Sequence, residues 1–125
     1  MIRFLLVLIA LFSISINTYG QFKVSENNRF ILRDGKPFFW LGDTAWELFH
    51  RLSTKEATYY FQKRSEQGFT VIQAVALAEL DGLHSPNANG DLPLLNDNPA
   101  QPNEKYFAHV DSLIDIAHSY GLTIA

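Results

Sequence analysis

Two apolar segments, each followed by a helical pattern, constrain the fold of this chain most strongly. Residues 36–42 and 69–77 are almost continuously apolar, which is typical of strands buried on both faces of a parallel sheet. Helices are predicted from Ser53 to Gly68 and from about Glu104 to Tyr120, and residues 122–125 open a further strand. The order β, α, β, α, β predicts an α/β fold with a parallel sheet.

A β-hairpin is predicted ahead of the first buried strand. Residues 22–26 and 29–33 alternate between apolar and polar side chains, and Asn27 and Asn28 between them are typical of a two-residue turn. Both a TIM barrel and an open doubly wound sheet fit the elements that follow. Residues 41–46 lack the Gly-rich phosphate turn of the doubly wound sheet, so the N-terminal part of a TIM (β/α)8 barrel is favoured.

The number of predicted strands falls short of a complete barrel. A TIM barrel needs eight strands and typically about 250 residues. This chain has 125 residues, enough for about three parallel strands in the predicted order. We therefore expect an N-terminal piece of a longer barrel domain, truncated in the third strand.

Residues 1–20 have the pattern of a signal peptide. Arg3 precedes an apolar run over residues 4–12, and small or polar residues lead to a predicted cleavage site after Gly20. A membrane anchor, the alternative, needs about 20 apolar residues, so no stable membrane span is expected after cleavage. We expect a secreted or periplasmic protein. Its domain, residues 21–125, has no cysteine and must depend on a hydrophobic core.

The charge of the chain bears on its partners. The formal net charge is −3 at pH 7, and removal of the leader with Arg3 makes the mature chain one charge more negative. This balance argues against nucleic acid or anionic lipid as a partner. Aromatic residues make up 14% of the chain, which favours an oligo- or polysaccharide with flat apolar faces. No cofactor is expected.

Candidate site residues follow the first predicted strand. Asp43 is placed immediately past that strand, and Trp46 offers a ring on which a sugar could stack. The structural alternative is that Asp43 or Thr44 caps a short helical turn while Trp46 fills the core.

A second group of candidates follows the second strand. Glu79 and Asp81 are two residues apart, whereas the carboxyl pair of a glycosidase usually comes from different strands, about 5–5.5 Å apart in retaining and 6.5–9.5 Å in inverting enzymes. They are therefore predicted to bind substrate or to support the site, with a structural role as the alternative. Asn87 has an amide that suits sugar hydroxyls. For Asn89 and Gly90 an ordinary turn is as good an interpretation.

The histidines carry no metal-binding pattern. His50, His84, His109 and His118 lack ligand spacing, so no metal site is predicted and they are interpreted as surface or helix-flank residues. Gln73 lies mid-strand and is predicted to point into the barrel, where a polar side chain needs a partner.

Several segments resemble the apiosidase-like bacterial proteins of glycoside hydrolase family 140. The Gly-Asp-Thr-Ala-Trp run at residues 42–46 and the Glu-Leu-Asp-Gly run at residues 79–82 are its most specific parts, and the likeness extends over the mature chain. The resemblance implies a TIM barrel in an exported enzyme that hydrolyses pectin side chains, with apiose as the type sugar. It also implies catalytic carboxylates on later strands, beyond Ala125. From strand-end position alone, the expected substrate contacts are Asp43, Trp46, Glu79, Asp81, His84 and Asn87.

The leading hypothesis is therefore a fragment of a secreted glycoside hydrolase, inactive by itself. Two alternatives stay open: a non-catalytic carbohydrate-binding or adhesion module, and a barrel hydrolase that acts on another bond, such as a peptide or an ester. Carboxylates at the ends of later strands would distinguish the hydrolase from the binding module.

Overall fold

The computed structural model describes residues 22–125. They fall in two compact units, one ending at Phe38 and the other running from Phe39 to Ala125. The predicted signal peptide and its cleavage site after Gly20 lie outside the described residues. Among residues 22–125, no helix has the length and apolar character needed to cross a membrane.

The first unit contains an antiparallel sheet with the strand order β1 (Phe22–Val24), β2 (Ile31–Arg33) and β3 (Lys36–Phe38). Asp34 and Gly35 form the turn between β2 and β3, with φ values of 53° and 75°. Positive φ at both positions is what a type I′ hairpin turn requires. The rings of Phe22 and Phe38 meet edge to face with centroids 5.1 Å apart, so the two outer strands contact each other over β2.

The predicted hairpin between β1 and β2 is present, but its connection is longer than the expected two-residue turn. Residues 25–30 join the strands, and the Ser25 N–H donates to the Phe30 carbonyl at 2.9 Å. The Ser25 hydroxyl accepts from the N–H groups of Arg29 and Phe30 at 3.2 and 3.0 Å. The Ser25 side chain thus satisfies backbone donors of the loop. Asn28 has the positive φ, 56°, that was expected of a turn residue, but the turn is wider than two residues.

The prediction of one buried strand over residues 36–42 is wrong. Lys36–Phe38 belongs to the antiparallel sheet, and the first parallel strand is β4 (Gly42–Thr44). Between them the Leu41 N–H donates to the Phe39 carbonyl at 3.1 Å, a tight turn that interrupts the extended backbone. Phe39 is 75% exposed, so an apolar run was not sufficient evidence of burial.

The second unit contains a parallel sheet in the order β4, β5 (Val71–Gln73) and β6 (Thr123–Ile124). Two helices, α1 (Leu48–Arg51) and α2 (Thr54–Glu66), connect β4 to β5, and α3 (Glu104–Ser119) precedes β6. This succession confirms the predicted mixed α/β fold with parallel strands.

Helix α2 begins and ends where the sequence predicts. The Ser53 N–H donates to the Glu56 carboxylate at 2.9 Å, and the Glu56 N–H donates to the Ser53 hydroxyl at 3.4 Å, which completes the capping box. After the helix, Gly68 has φ 86°, the left-handed conformation that favours glycine at this position.

Helix α3 supplies much of the hydrophobic core. Its apolar residues recur at helical spacing, and of these Val110, Leu113 and Ala117 are buried, whereas Phe107 and Ile114 are only partly buried. Tyr106 is fully buried because its hydroxyl finds a partner in the Ala76 carbonyl at 2.8 Å. The other buried members of the core are Leu48, Phe49, Ala57, Phe61, Ile72 and Leu122.

Two histidines depart from the predicted surface or flank positions. His50 on α1 and His109 on α3 are only 8% and 5% exposed. His109 Nε2 donates to the Leu52 carbonyl at 3.3 Å, which links α3 to the turn between α1 and α2. Apolar periodicity does not reveal such residues, because a histidine is polar and does not count toward an apolar stripe.

A long irregular segment runs from Glu79 to Asn103. It includes a single 3-10 helical turn (Leu95–Asp97) and a bridge between Leu94 and Pro102. Asn103 closes the segment, because its amide donates to the Leu92 carbonyl at 2.7 Å while its carbonyl oxygen accepts from the Lys105 N–H at 3.1 Å.

Candidate functional site

The candidate site lies at the carboxyl edge of the parallel sheet. Thr44 and Gln73, the last residues of β4 and β5, are opposite each other in register and are both exposed. Beyond them the Ala45 N–H donates to the Gln73 carbonyl at 2.9 Å, and the Val75 N–H donates to the Trp46 carbonyl at 3.1 Å. The loops after β4 and β5 therefore leave the sheet side by side, at the edge where α/β proteins bind ligands.

The two faces of this sheet differ in what they contact. Ile72 of β5 is buried in the core with α2 and α3, and Asp43 is paired with it in register. Since successive strand residues alternate between faces, Thr44 and Gln73 lie on the face away from the helices. Gln73 thus lies on the side of the sheet that would face the interior of a barrel, as its position in the sequence predicted.

Asp43 lies inside β4 instead of past its end, and its carboxylate points to the helices. Its Oδ2 accepts from the Tyr60 hydroxyl at 2.7 Å and from Arg64 Nε, both on α2. The Arg64 guanidinium also lies over the rings of Tyr60 and Phe69, 5.1 and 5.5 Å from their centroids. Asp43 therefore fastens α2 to the sheet, and its predicted contact with substrate stays a prediction that this placement does not favour.

These contacts set the ionisation of the cluster. Burial raises the pKa of Asp43, but the hydrogen bonds from Tyr60 and Arg64 and the charge of Arg64 outweigh burial and hold that pKa below its usual value. Burial, together with the bond to Asp43, raises the pKa of Tyr60 to about 12. At neutral pH the carboxylate is charged and the phenol stays a donor.

Trp46 and Glu79 are both accessible at the sheet edge. Trp46 is 40% exposed between β4 and α1, and its backbone is held against the loop after β5 by the bond from Val75. An exposed indole at this edge offers a flat apolar face to a ligand. Glu79 is exposed at the start of the long loop, directly after the buried Ala78.

The backbone around Asp81 is shaped by residues with positive φ. Leu80 and Asp81 have φ values of 55° and 72°. At Gly82 a Cβ atom would stand 2.4 Å from the Ala78 carbonyl oxygen, so the chain approaches itself more closely than any other residue would allow. The loop therefore has a defined conformation that sets where the Asp81 carboxylate lies.

His84 joins two parts of the long loop. Its Nδ1 is 2.6 Å from Asp81 Oδ1, and its Nε2 is 3.4 Å from Asp97 Oδ1 in the 3-10 turn. The hydrogen bond to Asp81 and the charges of both carboxylates raise the pKa of His84 above its usual value. All three side chains are more than half exposed, so this cluster is accessible to a ligand.

Asn87 is 5% exposed and anchors a tight turn. Its Oδ1 accepts from the N–H groups of Asn89 and Asp91 at 2.9 and 3.0 Å. Gly90, at φ 86°, completes the turn, as expected from the Asn-Gly pair. Asn87 Nδ2 is buried and has no hydrogen-bond partner within residues 22–125.

The structure thus divides the six predicted contact residues. Asp81 and His84 form one cluster, Trp46 stands beside the loop that follows β5, and Asn87 is anchored farther along that loop. Glu79 is exposed at the start of the same loop. Asp43 is separated from them on the helix side of the sheet. Within the described part of the chain, no group of three or more His, Asp or Glu side chains is placed to hold a metal ion.

Sequence reasoning missed three residues that shape this region. Tyr60 and Arg64 of α2 were not among the candidates, although together they bind the Asp43 carboxylate. His50 was interpreted as a surface residue, although it is buried against the long loop with Asn87. None of these contacts leaves a pattern of spacing, because each joins residues that are distant in the chain.

Comparison with known proteins shows which family this chain resembles. The model of the apiosidase-like catalytic domain matches residues 25–125. A crystal structure of a glycoside hydrolase family 5 protein from Bacteroides vulgatus is 32% identical, with a TM-score of 0.70, over 86% of this chain and 24% of that one. A solved structure described as a glycoside hydrolase is 36% identical, with a TM-score of 0.71, over 86% of this chain and 25% of that one.

These matches also show how much of each relative the chain covers. The chain spans about a quarter of the length of the two solved relatives. A comparison with curated proteins gives no match. Because the family model covers nearly all the described residues, the chain belongs to the apiosidase-like catalytic domain family of glycoside hydrolases.

Proposed function

We propose that this chain is the N-terminal part of a (β/α)8 barrel in a secreted glycosidase that acts on side chains of plant pectin, with apiose as the sugar removed. Family membership supports the chemistry of glycosidic bond hydrolysis. The leader pattern in residues 1–20 supports export. A barrel places its substrate at the carboxyl ends of its strands, the same edge at which the candidate site lies.

The observation that carries the proposal is the exposed polar and aromatic edge of the parallel sheet. Thr44 and Gln73 stand opposite each other on the face away from the helices, with Trp46 directly beyond β4. A sugar ring needs hydrogen-bonding groups for its hydroxyls and a flat apolar surface for its C–H face. This edge supplies both, so it forms the first wall of the proposed cleft.

The side chains of the long loop continue that wall. Glu79 and Asp81 are exposed, and His84 is held between two carboxylates where it donates or accepts according to its ionisation. Asn87 is proposed to reach a sugar hydroxyl. Asp43 acts in this scheme as a positioning residue, because it fixes α2 against β4.

The catalytic carboxyl pair is proposed to lie on strands that follow this chain. Glycosidases place two carboxyl groups about 5–9.5 Å apart across the scissile bond. Glu79 and Asp81 are two residues apart in the same loop, so they are not placed on opposite sides of a glycosidic bond. The solved relatives are about three and a half times as long as this chain, which leaves room for the remaining strands.

Hydrolysis of apiose-containing pectic oligosaccharides tests the proposal. The full-length protein is expected to release apiose, and residues 21–125 alone are expected to release none. Saturable binding of the oligosaccharide by the full-length protein without product would identify a carbohydrate-binding module instead. Turnover of an ester or a peptide in place of the oligosaccharide would assign another bond.

A further inference from the structure

A cavity outside the parallel sheet edge lies between α1 and the loop that follows β5. It has a volume of about 360 Å³, and its walls come from His50 and Arg51 of α1, from Leu80, and from residues 85–88. Small-molecule pockets have volumes of about 300–1,000 Å³. This cavity is at the small end of that range, so it suits one sugar ring and not an oligosaccharide.

The amide of Asn87 has an orientation fixed by the turn that it anchors. Its Oδ1 accepts two backbone N–H groups, from Asn89 and Asp91, so the oxygen and nitrogen cannot be exchanged without losing both bonds. Nδ2 is therefore a donor. It is buried and without a partner among residues 22–125, on a residue that lines the cavity.

His50, which also lines the cavity, carries a second unpartnered polar atom. His50 is only 8% exposed, and within the described chain its Nδ1 has no hydrogen-bond partner. A buried polar atom without a partner is unfavourable, and such atoms are rare in folded proteins. Two of them, on two residues that line one cavity, point to a ligand group as their partner.

The chemistry of the two atoms selects the ligand group. Asn87 Nδ2 only donates, whereas His50 Nδ1 accepts or donates according to its tautomer. A hydroxyl both accepts and donates hydrogen bonds, so the hydroxyl groups of a sugar suit both nitrogens. Arg51, which also lines the cavity, is paired with Glu47, so the wall does not present an uncompensated positive charge to an anionic ligand.

We propose that this cavity is a sugar subsite in which Asn87 Nδ2 and His50 Nδ1 bind hydroxyl groups of one neutral sugar ring of the substrate. The inference rests on the proposed function, since it assigns a further part of the same cleft. Both nitrogens are shielded from bulk water, so binding includes a small displacement of the surrounding loop. His50 thereby becomes a substrate-contacting residue.

Three variants of the full-length protein test the subsite with the apiose-containing oligosaccharide. Asn87→Asp keeps the oxygen that accepts from Asn89 and Asp91 but removes the donor. His50→Phe removes the ring nitrogens, and His50→Asn restores a polar group near the position of Nδ1. We expect KM to rise roughly tenfold in Asn87→Asp and His50→Phe with kcat little changed, and to recover partly in His50→Asn. His118→Gln on α3 is the matched control.

Direct binding separates this inference from the proposed function. Free apiose is titrated into the full-length protein while the NMR signals of the Asn87 amide and the His50 ring are followed. Saturable shifts in the wild type that disappear in His50→Phe support the subsite even when no oligosaccharide is hydrolysed. Unchanged KM in both Asn87→Asp and His50→Phe, or apiose binding that leaves both signals unmoved, would overturn it. Thermal unfolding of each variant confirms that its fold is retained.

Discussion

Asp43 shows how one carboxylate serves the fold at a position where the sequence suggested a ligand contact. The side chain is 26% exposed and accepts from Tyr60 and Arg64. Because it sits mid-strand on the helix face, its bonds hold α2 against β4, directly beneath the edge that carries Thr44. Its effect on activity therefore passes through the position of the strand.

Replacement of Asp43 tests this structural role. Asp43→Asn removes the charge and weakens both bonds, so we expect the free energy of unfolding to fall by about 1–2 kcal/mol, a figure reduced for partial solvent screening. Urea denaturation measures the change. Tyr60→Phe, which removes one of the two donors, should cost less, and the two substitutions together should cost less than their sum. Unchanged stability in Asp43→Asn would contradict the role.

The stability that Asp43 contributes should depend on pH in one direction. Its folded pKa lies below the unfolded value, so the contribution is complete above the unfolded pKa, near 3.8. It is lost as the pH falls through the lower, folded pKa. The stability difference between wild type and Asp43→Asn should therefore shrink in acid.

The stability that His84 contributes should depend on pH in the opposite direction. Its pKa is raised by Asp81 and Asp97, so its stabilising contacts are complete below the unfolded pKa of 6.5 and weaken as the pH rises through the higher, folded pKa. An NMR titration of the ring should give a pKa above 6.5, and Asp81→Asn should lower it. A pKa in Asp81→Asn equal to that of the wild type would show that the contact has no electrostatic effect.

At the scale of elements, the boundaries of α2 follow from local chemistry. The Ser53 and Glu56 side chains satisfy each other's backbone N–H groups, and Gly68 ends the helix. Such signals lie within a few residues of one another, so the sequence predicted both ends of this helix correctly.

Removal of the capping box should destabilise α2 measurably. Ser53→Ala loses the hydroxyl that accepts from Glu56, and we expect a cost of about 1 kcal/mol in the free energy of unfolding. Ser112→Ala, at an exposed position inside α3, is the matched control and should be neutral or slightly stabilising because alanine favours helices. Equal effects of the two substitutions would mean that the cap contributes nothing.

The strands show where sequence reasoning falls short. The apolar run over residues 36–42 predicts one buried strand, but the chain turns between Phe39 and Leu41 and divides the run between two sheets. Thr70, far away in the sequence, holds that turn through its hydroxyl, at 2.6 Å from the Phe39 carbonyl. Periodicity describes how a segment could be buried, whereas long-range contacts decide which sheet it joins.

The exposure of the candidate site residues was easier to predict from the sequence than the direction of their side chains. Polar and aromatic residues after the strand ends were expected to be accessible, and Trp46, Glu79, Asp81 and His84 are exposed, while their contact with substrate stays a prediction. The face on which a strand residue lies changes with a shift of one position, and Asp43 was placed one position too far along. His50 and Asn87 line the same cavity because of the path that the loop takes, and no local sequence pattern predicts that path.

At the scale of the whole molecule, the chain contributes three parallel strands and three helices of a glycoside hydrolase catalytic domain within residues 39–125. The carboxyl edge of the parallel sheet carries accessible polar and aromatic groups. The solved relatives are about three and a half times as long as this chain. We therefore propose that this edge is a wall of the substrate cleft in the proposed glycosidase.

A crystal structure of the full-length protein with a bound apiose-containing oligosaccharide tests that claim most directly. We expect a sugar ring against the Trp46 indole and sugar hydroxyls within hydrogen-bonding distance of Thr44 or Gln73. An oligosaccharide bound elsewhere, with no contact to any of these three residues, would contradict it.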